Sequence, residues 1–218
     1  MTTQKAMDRR ALQIATSTLA LFLFAGCGEK SNELQSSPPR ANRPEVLQRS
    51  LFIEKEERSI TLKLFDATKT TLPLRFTTYS PDDMIPEVKS EREGDSVRFV
   101  AAFGGRRNAD EYLGVFIEVQ GRTEAEARGI ARMAAIARGL VERPPDQPKL
   151  RQWALSEYDF AGSGPKGKRV VGTIFLSRHA DRYFTIVLSY PEQYAGEVMP
   201  RAEVILNEWR WQDTGQSL

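Results

Sequence analysis

The chain has one cysteine and one histidine among 218 residues. A lone cysteine excludes an internal disulfide and every cysteine-rich zinc pattern, and a lone histidine argues against a transition-metal centre. No metal and no cofactor are expected. Long apolar runs are also missing. The uncharged, largely apolar segment Ala11 to Phe24 falls short of the roughly 20 residues that span a bilayer. Excess charge is missing too. The first 26 residues hold Lys5, Arg9 and Arg10 against Asp8, a net of +2 that equals the whole chain's, so the remainder is neutral. A neutral body lacks the field of cations that phosphate backbones need, which excludes broad nucleic-acid binding.

What the N-terminus does have is a basic segment ending in Arg9-Arg10, then the short apolar run, then Leu23-Phe24-Ala25-Gly26-Cys27. This is the plan of a secretory signal. The ending resembles the lipobox of bacterial lipoproteins, with Phe24 where an aliphatic residue is usual. That resemblance implies cleavage after Gly26, acylation of Cys27 and anchorage of the protein to a membrane surface outside the cytoplasm, on the periplasmic side or at the cell surface. Residues 1–26 are therefore expected to be a signal peptide. Residues 27–50 follow as lipidated Cys and flexible tether, because Gly28 to Val46 is polar, contains Pro38-Pro39 and has little apolar surface to bury. Residues 51–218 are expected to form one globular domain, long enough for a core of its own.

Within that domain the apolar spacing alternates between two periods. Ile60, Leu62 and Leu64 alternate with polar residues, as in a half-buried strand. Leu72–Thr78, Val97–Phe103, Tyr112–Val119, Trp153–Phe160, Val170–Ser177 and Arg182–Ser189 read as extended segments. The last two form a hairpin through Arg178-His179-Ala180-Asp181. Tyr79–Asp83 reads as a turn or the start of a short helix, and Gly104–Glu111 as a connection. Thr123-Glu124-Ala125-Glu126 is a capping box that opens a helix. Its apolar face is expected to be Ile130, Met133, Ala134, Ala137, Leu140 and Val141, with Pro144-Pro145 ending it. A final helix is expected from about Met199-Pro200 to Glu208. Strands, helix, strands, helix argue for an α+β domain with a largely antiparallel sheet covered by helices.

The run His179-Ala180-Asp181-Arg182-Tyr183-Phe184, then Tyr190-Pro191-Glu192-Gln193-Tyr194 and Trp209-Arg210-Trp211, with the earlier Phe76-Thr77-Thr78-Tyr79-Ser80-Pro81, is similar to the PsbP-like and DcrB-like sandwich proteins. Asp82-Asp83-Met84 stands where those proteins carry Gly-Trp. The resemblance covers about Ser59 to Trp211. It implies a PsbP-like sandwich and a non-enzymatic accessory, assembly or binding role.

Catalytic patterns are weak. Gly162–Lys168 fits G-x-x-x-x-G-K, but Arg169 replaces the required Ser or Thr and a strand is expected next, so a hairpin loop is the better reading. His179, with Asp181 as its candidate carboxylate partner, is the one imidazole base a hydrolase would use, and no G-x-S-x-G accompanies it. Asp82, Asp83 and Glu87 lack calcium-loop spacing. Arg106, Arg107, Arg128, Arg132 and Trp211 are the side chains expected to offer an interaction surface. The expected protein is thus no enzyme but a membrane-anchored accessory module with a protein partner. Its rivals are a carrier or sensor of a small apolar ligand, which needs a closed apolar pocket, a hydrolase, and a purely structural envelope protein.

Overall fold

A computed structural model describes residues 43–91, 94–118, 120–144, 146–164 and 167–218. The signal segment, Cys27 and the tether up to residue 42 lie outside them, as do Val119, Pro145 and two residues of the Gly162–Lys168 loop.

The first two strands, β1 (Val46–Ile53) and β2 (Glu56–Asp66), pair as a hairpin from Val46↔Lys63 to Ile53↔Glu56. Its two-residue turn, Glu54-Lys55, has both residues left-handed, at φ 49° and 70°. That matches the strand twist, but without the glycine or asparagine that adopts it cheaply. The expected tether to residue 50 is corrected here: Val46 to Ser50 are strand, because Leu47 and Leu51 pack on Leu62 and Tyr79.

β3 (Phe76–Pro81) pairs with β2 and with β11 (Arg210–Trp211), giving a four-stranded sheet in the order β1-β2-β3-β11. Of Tyr79–Asp83, expected to be a turn or helix start, only Asp82-Asp83 form a turn, and Tyr79 to Pro81 are strand. β3 runs through to Pro81, and Asp82-Asp83 is the corner at which the chain leaves for a second sheet. Ser80 donates to the carbonyl of Met84 across that corner at 2.7 Å.

The second sheet has seven strands. They are β4 (Met84–Glu91), β5 (Gly94–Ala101), β6 (Asn108–Ile117), β7 (Leu140–Val141), β8 (Ser156–Ser163), β9 (Arg169–His179) and β10 (Arg182–Pro191), arranged β4-β5-β6-β10-β9-β8-β7. Every pairing is antiparallel. Both faces of its centre are buried. Val97, Phe99, Leu113, Val115, Phe184, Ile186 and Leu188 face the main core, while Val100, Tyr112, Ile174, Leu176 and Val187 face the other way. Hence these strands read as continuous apolar runs rather than as strict alternation.

Helix α1 (Glu124–Ile136) covers part of the outer face, and α2 (Ala195–Asn207) packs on β3 and β1 and reaches β10 and β6. The expected α+β domain covered by helices is therefore corrected. Strands make both layers of a β-rich sandwich, and two thirteen-residue helices leave much of the sheets to each other. The main core joins Phe65 and Phe76 of the first sheet to the second sheet's inner face and to Val198, Ala202 and Ile205 of α2.

α1 begins as expected, with Thr123 and Glu126 exchanging both capping-box bonds, but it ends at Ile136. Gly139, at φ 87°, turns the chain into β7 before Pro144 is reached. α2 starts four residues before Met199, so Pro200 sits inside it rather than in its first turn.

Candidate binding cleft

The open end of the sandwich holds a cleft of ≈ 740 Å³. Five chain segments meet there: the β1–β2 turn with Glu54, the β5–β6 loop and start of β6 with Phe103 to Glu111, Lys168 before β9, Pro191 to Tyr194 after β10, and Glu197 in the first turn of α2. The β5–β6 loop folds into a 3-10 turn over Phe103–Gly105, closed by the amides of Gly105 and Arg106. Lys168 is placed by a tight loop in which Gly164 donates to the Lys168 carbonyl at 2.7 Å. The G-x-x-x-x-G-K run is thus a hairpin loop leading into a strand, and it delivers one cation to the cleft.

Several of these side chains are locked. Arg201, buried on α2, donates to Asp83 at 2.7–3.0 Å and to the Glu197 carboxylate at 2.7 Å, and its guanidinium lies 4.2 Å over the Phe103 ring. Arg58 reaches Glu197 at 3.2 Å from the first sheet. Arg107 donates twice to Glu87, at 2.5 and 2.8 Å. That hydrogen bond, partly offset by burial and helped by the charges of Arg107 and its neighbours, holds the Glu87 carboxyl below the usual carboxylate range. Lys168 Nζ sits 5.0 Å from the Tyr194 ring centroid.

Glu111 is buried and accepts a hydrogen bond from Asn108. Burial pushes its carboxyl above the ordinary range, against the charge of Lys168 and with that of Asp110. The side chains of Arg106 and Asp110 have no hydrogen-bond or ion-pair partner among the described residues. A smaller cleft of ≈ 420 Å³ adjoins the first, sharing Asp110 and Val170 and lined by Tyr112, Phe160 and the C-terminal end of α1.

Of the side chains expected to form a surface, Arg106 and Arg107 line the cleft together. Arg128 and Arg132 do not line either cleft. Arg128 pairs with Glu124 and donates to Ser156, and Arg132 pairs with Glu142. Trp211 is corrected outright. It is buried on β11, edge-on to Phe76 and Phe184, with Trp209 beside it stacked on Phe76 at 3.6 Å, so it offers nothing to a partner.

His179 stacks flat on Trp211 at 3.7 Å and bonds Asp213 at 2.8 Å, not Asp181, which accepts from Gln120. Asp82, Asp83 and Glu87 are not gathered on one point, since Asp83 serves Arg201 and Glu87 serves Arg107. Among the described residues no three His, Cys, Asp or Glu side chains are placed to hold a metal, and no helix is long and apolar enough to cross a membrane. A carrier of an apolar molecule would need a closed apolar pocket, whereas the larger cleft is lined by seven charged side chains. Sequence reasoning missed Asn108, Asp110, Glu111 and Lys168. The one available signal was a pair of adjacent acids opening a strand whose inner positions are otherwise apolar.

The fold is thus an antiparallel two-sheet sandwich with a polar cleft at its mouth. No family model matches the chain, and no curated protein matches it. Among solved structures, LpqN, described as involved in cell envelope biogenesis of Mycobacterium tuberculosis, is similar at 13% identity and a TM-score of 0.38, over 68% of this chain and 90% of that one.

Proposed function

We propose that the protein is a lipid-anchored, extracytoplasmic module of the cell envelope that binds a ligand or partner and does not convert it chemically. The lipobox-like Leu23–Cys27 segment after an uncharged run supports the location. A single acyl chain holds a protein only marginally, so stable anchorage requires the multiple chains that a lipoprotein Cys carries.

The observation that carries the binding role is the end cleft. There Arg106 and Asp110 stand unpaired among side chains that ion pairs hold in place. Rigid surroundings with a few uncommitted polar groups are what a binding site needs, since less ordering entropy is lost on association.

Two variants test the reading in cells. Cys27→Ser is expected to leave the membrane fraction, and its persistence there after a high-salt wash would remove the anchor. Arg106→Glu combined with Asp110→Lys is expected to stay on the membrane at the parental level but to behave like a deletion. Full complementation by that double variant would take the cleft out of the function.

A further inference from the structure

We propose that the cleft takes a neutral, polyhydroxylated ligand, a segment of oligosaccharide. This rests on the binding-module reading above and gives its ligand a chemical class. The volume of ≈ 740 Å³ lies within the range of small-molecule sites, about 300–1,000 Å³.

The charges of the lining decide among ligand types. They are interleaved and not segregated: Arg106, Arg107, Asp110 and Glu111 fall within six consecutive residues, and Lys168 acts on Glu111 from across the cleft. An anion entering to meet Arg106 also meets Asp110 and Glu54. A cation drawn by Asp110 also meets Lys168. A zwitterion finds no pair of separated poles.

A hydroxyl group both donates and accepts, so neighbouring hydroxyls satisfy such a lining without bringing charge. The planar guanidinium of Arg106 offers a fork of donors to two adjacent hydroxyl oxygens, and the Asp110 carboxylate accepts from the next. Both groups are uncommitted, whereas Arg107 and Glu197 are consumed in ion pairs. Between them Phe103, Val170, Pro191 and Tyr194 give apolar strips of the kind that the C–H face of a sugar ring covers. Phe103 and Tyr194 are held in orientation by Arg201 and Lys168 on their rings.

Titration calorimetry on the full chain, kept in a detergent without a sugar headgroup, tests this. The neutral probes are chitotetraose, maltotetraose and cellotetraose, with tetra-alanine and inorganic phosphate as the zwitterionic and anionic controls. At least one tetrasaccharide is expected to bind. Its affinity should hold between about 0.05 and 0.5 M salt, because no ion pair forms. It should fall at least about tenfold in Arg106→Ala and in Asp110→Asn, the loss of a hydrogen bond to a charged group. Both positions are on the surface of the cleft, and unchanged thermal unfolding confirms that the variants fold. Heat from a control alone overturns the oligosaccharide while leaving a binding cleft in place. Heat from no probe overturns the oligosaccharide, and full complementation by the Arg106→Glu, Asp110→Lys variant then overturns the binding cleft as well. A tetrasaccharide that binds both variants at parental affinity places its site elsewhere and sinks the proposal.

Discussion

Arg201 shows how much of the cleft rests on a single side chain. Its guanidinium is almost fully buried on α2, yet it meets Asp83 from the inter-sheet corner, Glu197 from its own helix and the face of Phe103. Removing one member of a buried pair leaves its partners desolvated and uncompensated, which costs about 3–5 kcal/mol when burial is complete. Asp83 and Glu197 keep some access to water, so Arg201→Met is expected near the lower end, about 3 kcal/mol, read from urea unfolding. A loss under about 1 kcal/mol would mean the network is dispensable. Ala180 works in the opposite direction. It occupies the β9–β10 turn at φ 52°, where a Cβ crowds the following carbonyl at about 1–2 kcal/mol. Ala180→Gly is therefore expected to stabilise by about 1 kcal/mol, after the extra freedom of glycine in the unfolded chain is set against the relieved strain. A destabilised variant would show that the turn is not strained.

At the scale of elements, α1 separates what apolar spacing can tell from what it cannot. The cap was legible, because Thr123 and Glu126 act on the nearest amides and need nothing distant. Thr123→Ala should cost about 1 kcal/mol. The buried face was not legible. The larger apolar residues Ile130 and Met133 weight the expected stripe to one side, but the helix buries Ala127, Ala131 and Ala135 against Phe160, Ile174 and Tyr183, keeps only Ala134 of the expected helical face packed beside them, and leaves Met133 63% exposed. Small residues let the helix lie close on a sheet whose own side chains are large, so volume on the sheet decided which helix face turned inward. The consequence is opposite to that of the stripe. Ala131→Leu overpacks the interface and should cost about 1–3 kcal/mol. Met133→Gln, at an exposed position, should stay within about 0.5 kcal/mol. Equal effects in thermal unfolding would return the helix to the face its larger residues suggest. The strands β5, β6, β9 and β10 were legible for a related reason: they are buried on both sides, and an unbroken apolar run survives any packing. β4 was not, since its outward residues, Ile85, Glu87 and Lys89 among them, carry no single period. The helix-covered architecture failed with it, because the second sheet gains its inner cover from β2, β3 and α2 together. The cleft was visible only as Arg106 and Arg107. Its acids and Lys168 come from segments up to 143 positions apart in number, Glu54 against Glu197, that only the fold brings together.

For the molecule as a whole, burial and pairing pull its carboxyls in opposite directions, and stability against pH should record both. Glu87, held low by Arg107, and Glu126, held low by the backbone and hydroxyl of Thr123, favour the folded state when ionised. Asp159 is pushed up by burial, but Arg143 and Thr173 outweigh that and leave it low. Such groups contribute stability above the ordinary carboxylate range, and that contribution is lost as the pH falls through their lowered values. Glu111 and Glu118 are the reverse. Burial raises both, against Lys168 in one case and Arg122 in the other, so the folded state prefers them protonated. Their contribution is full below the ordinary glutamate value, about 4.3, and declines as the pH rises through their raised ones. Stability should therefore pass through a maximum, falling on the acid side from the paired carboxyls and on the neutral side from the buried ones. Glu111→Gln with Glu118→Gln carries the same hydrogen-bonding shape without the proton. It should abolish the neutral-side decline and leave the acid limb in place, measured by urea midpoints at steps of pH. Parallel profiles for parent and double variant would mean that these two carboxyls are solvated in the folded state, and Glu111 would then no longer count as a buried wall of the cleft.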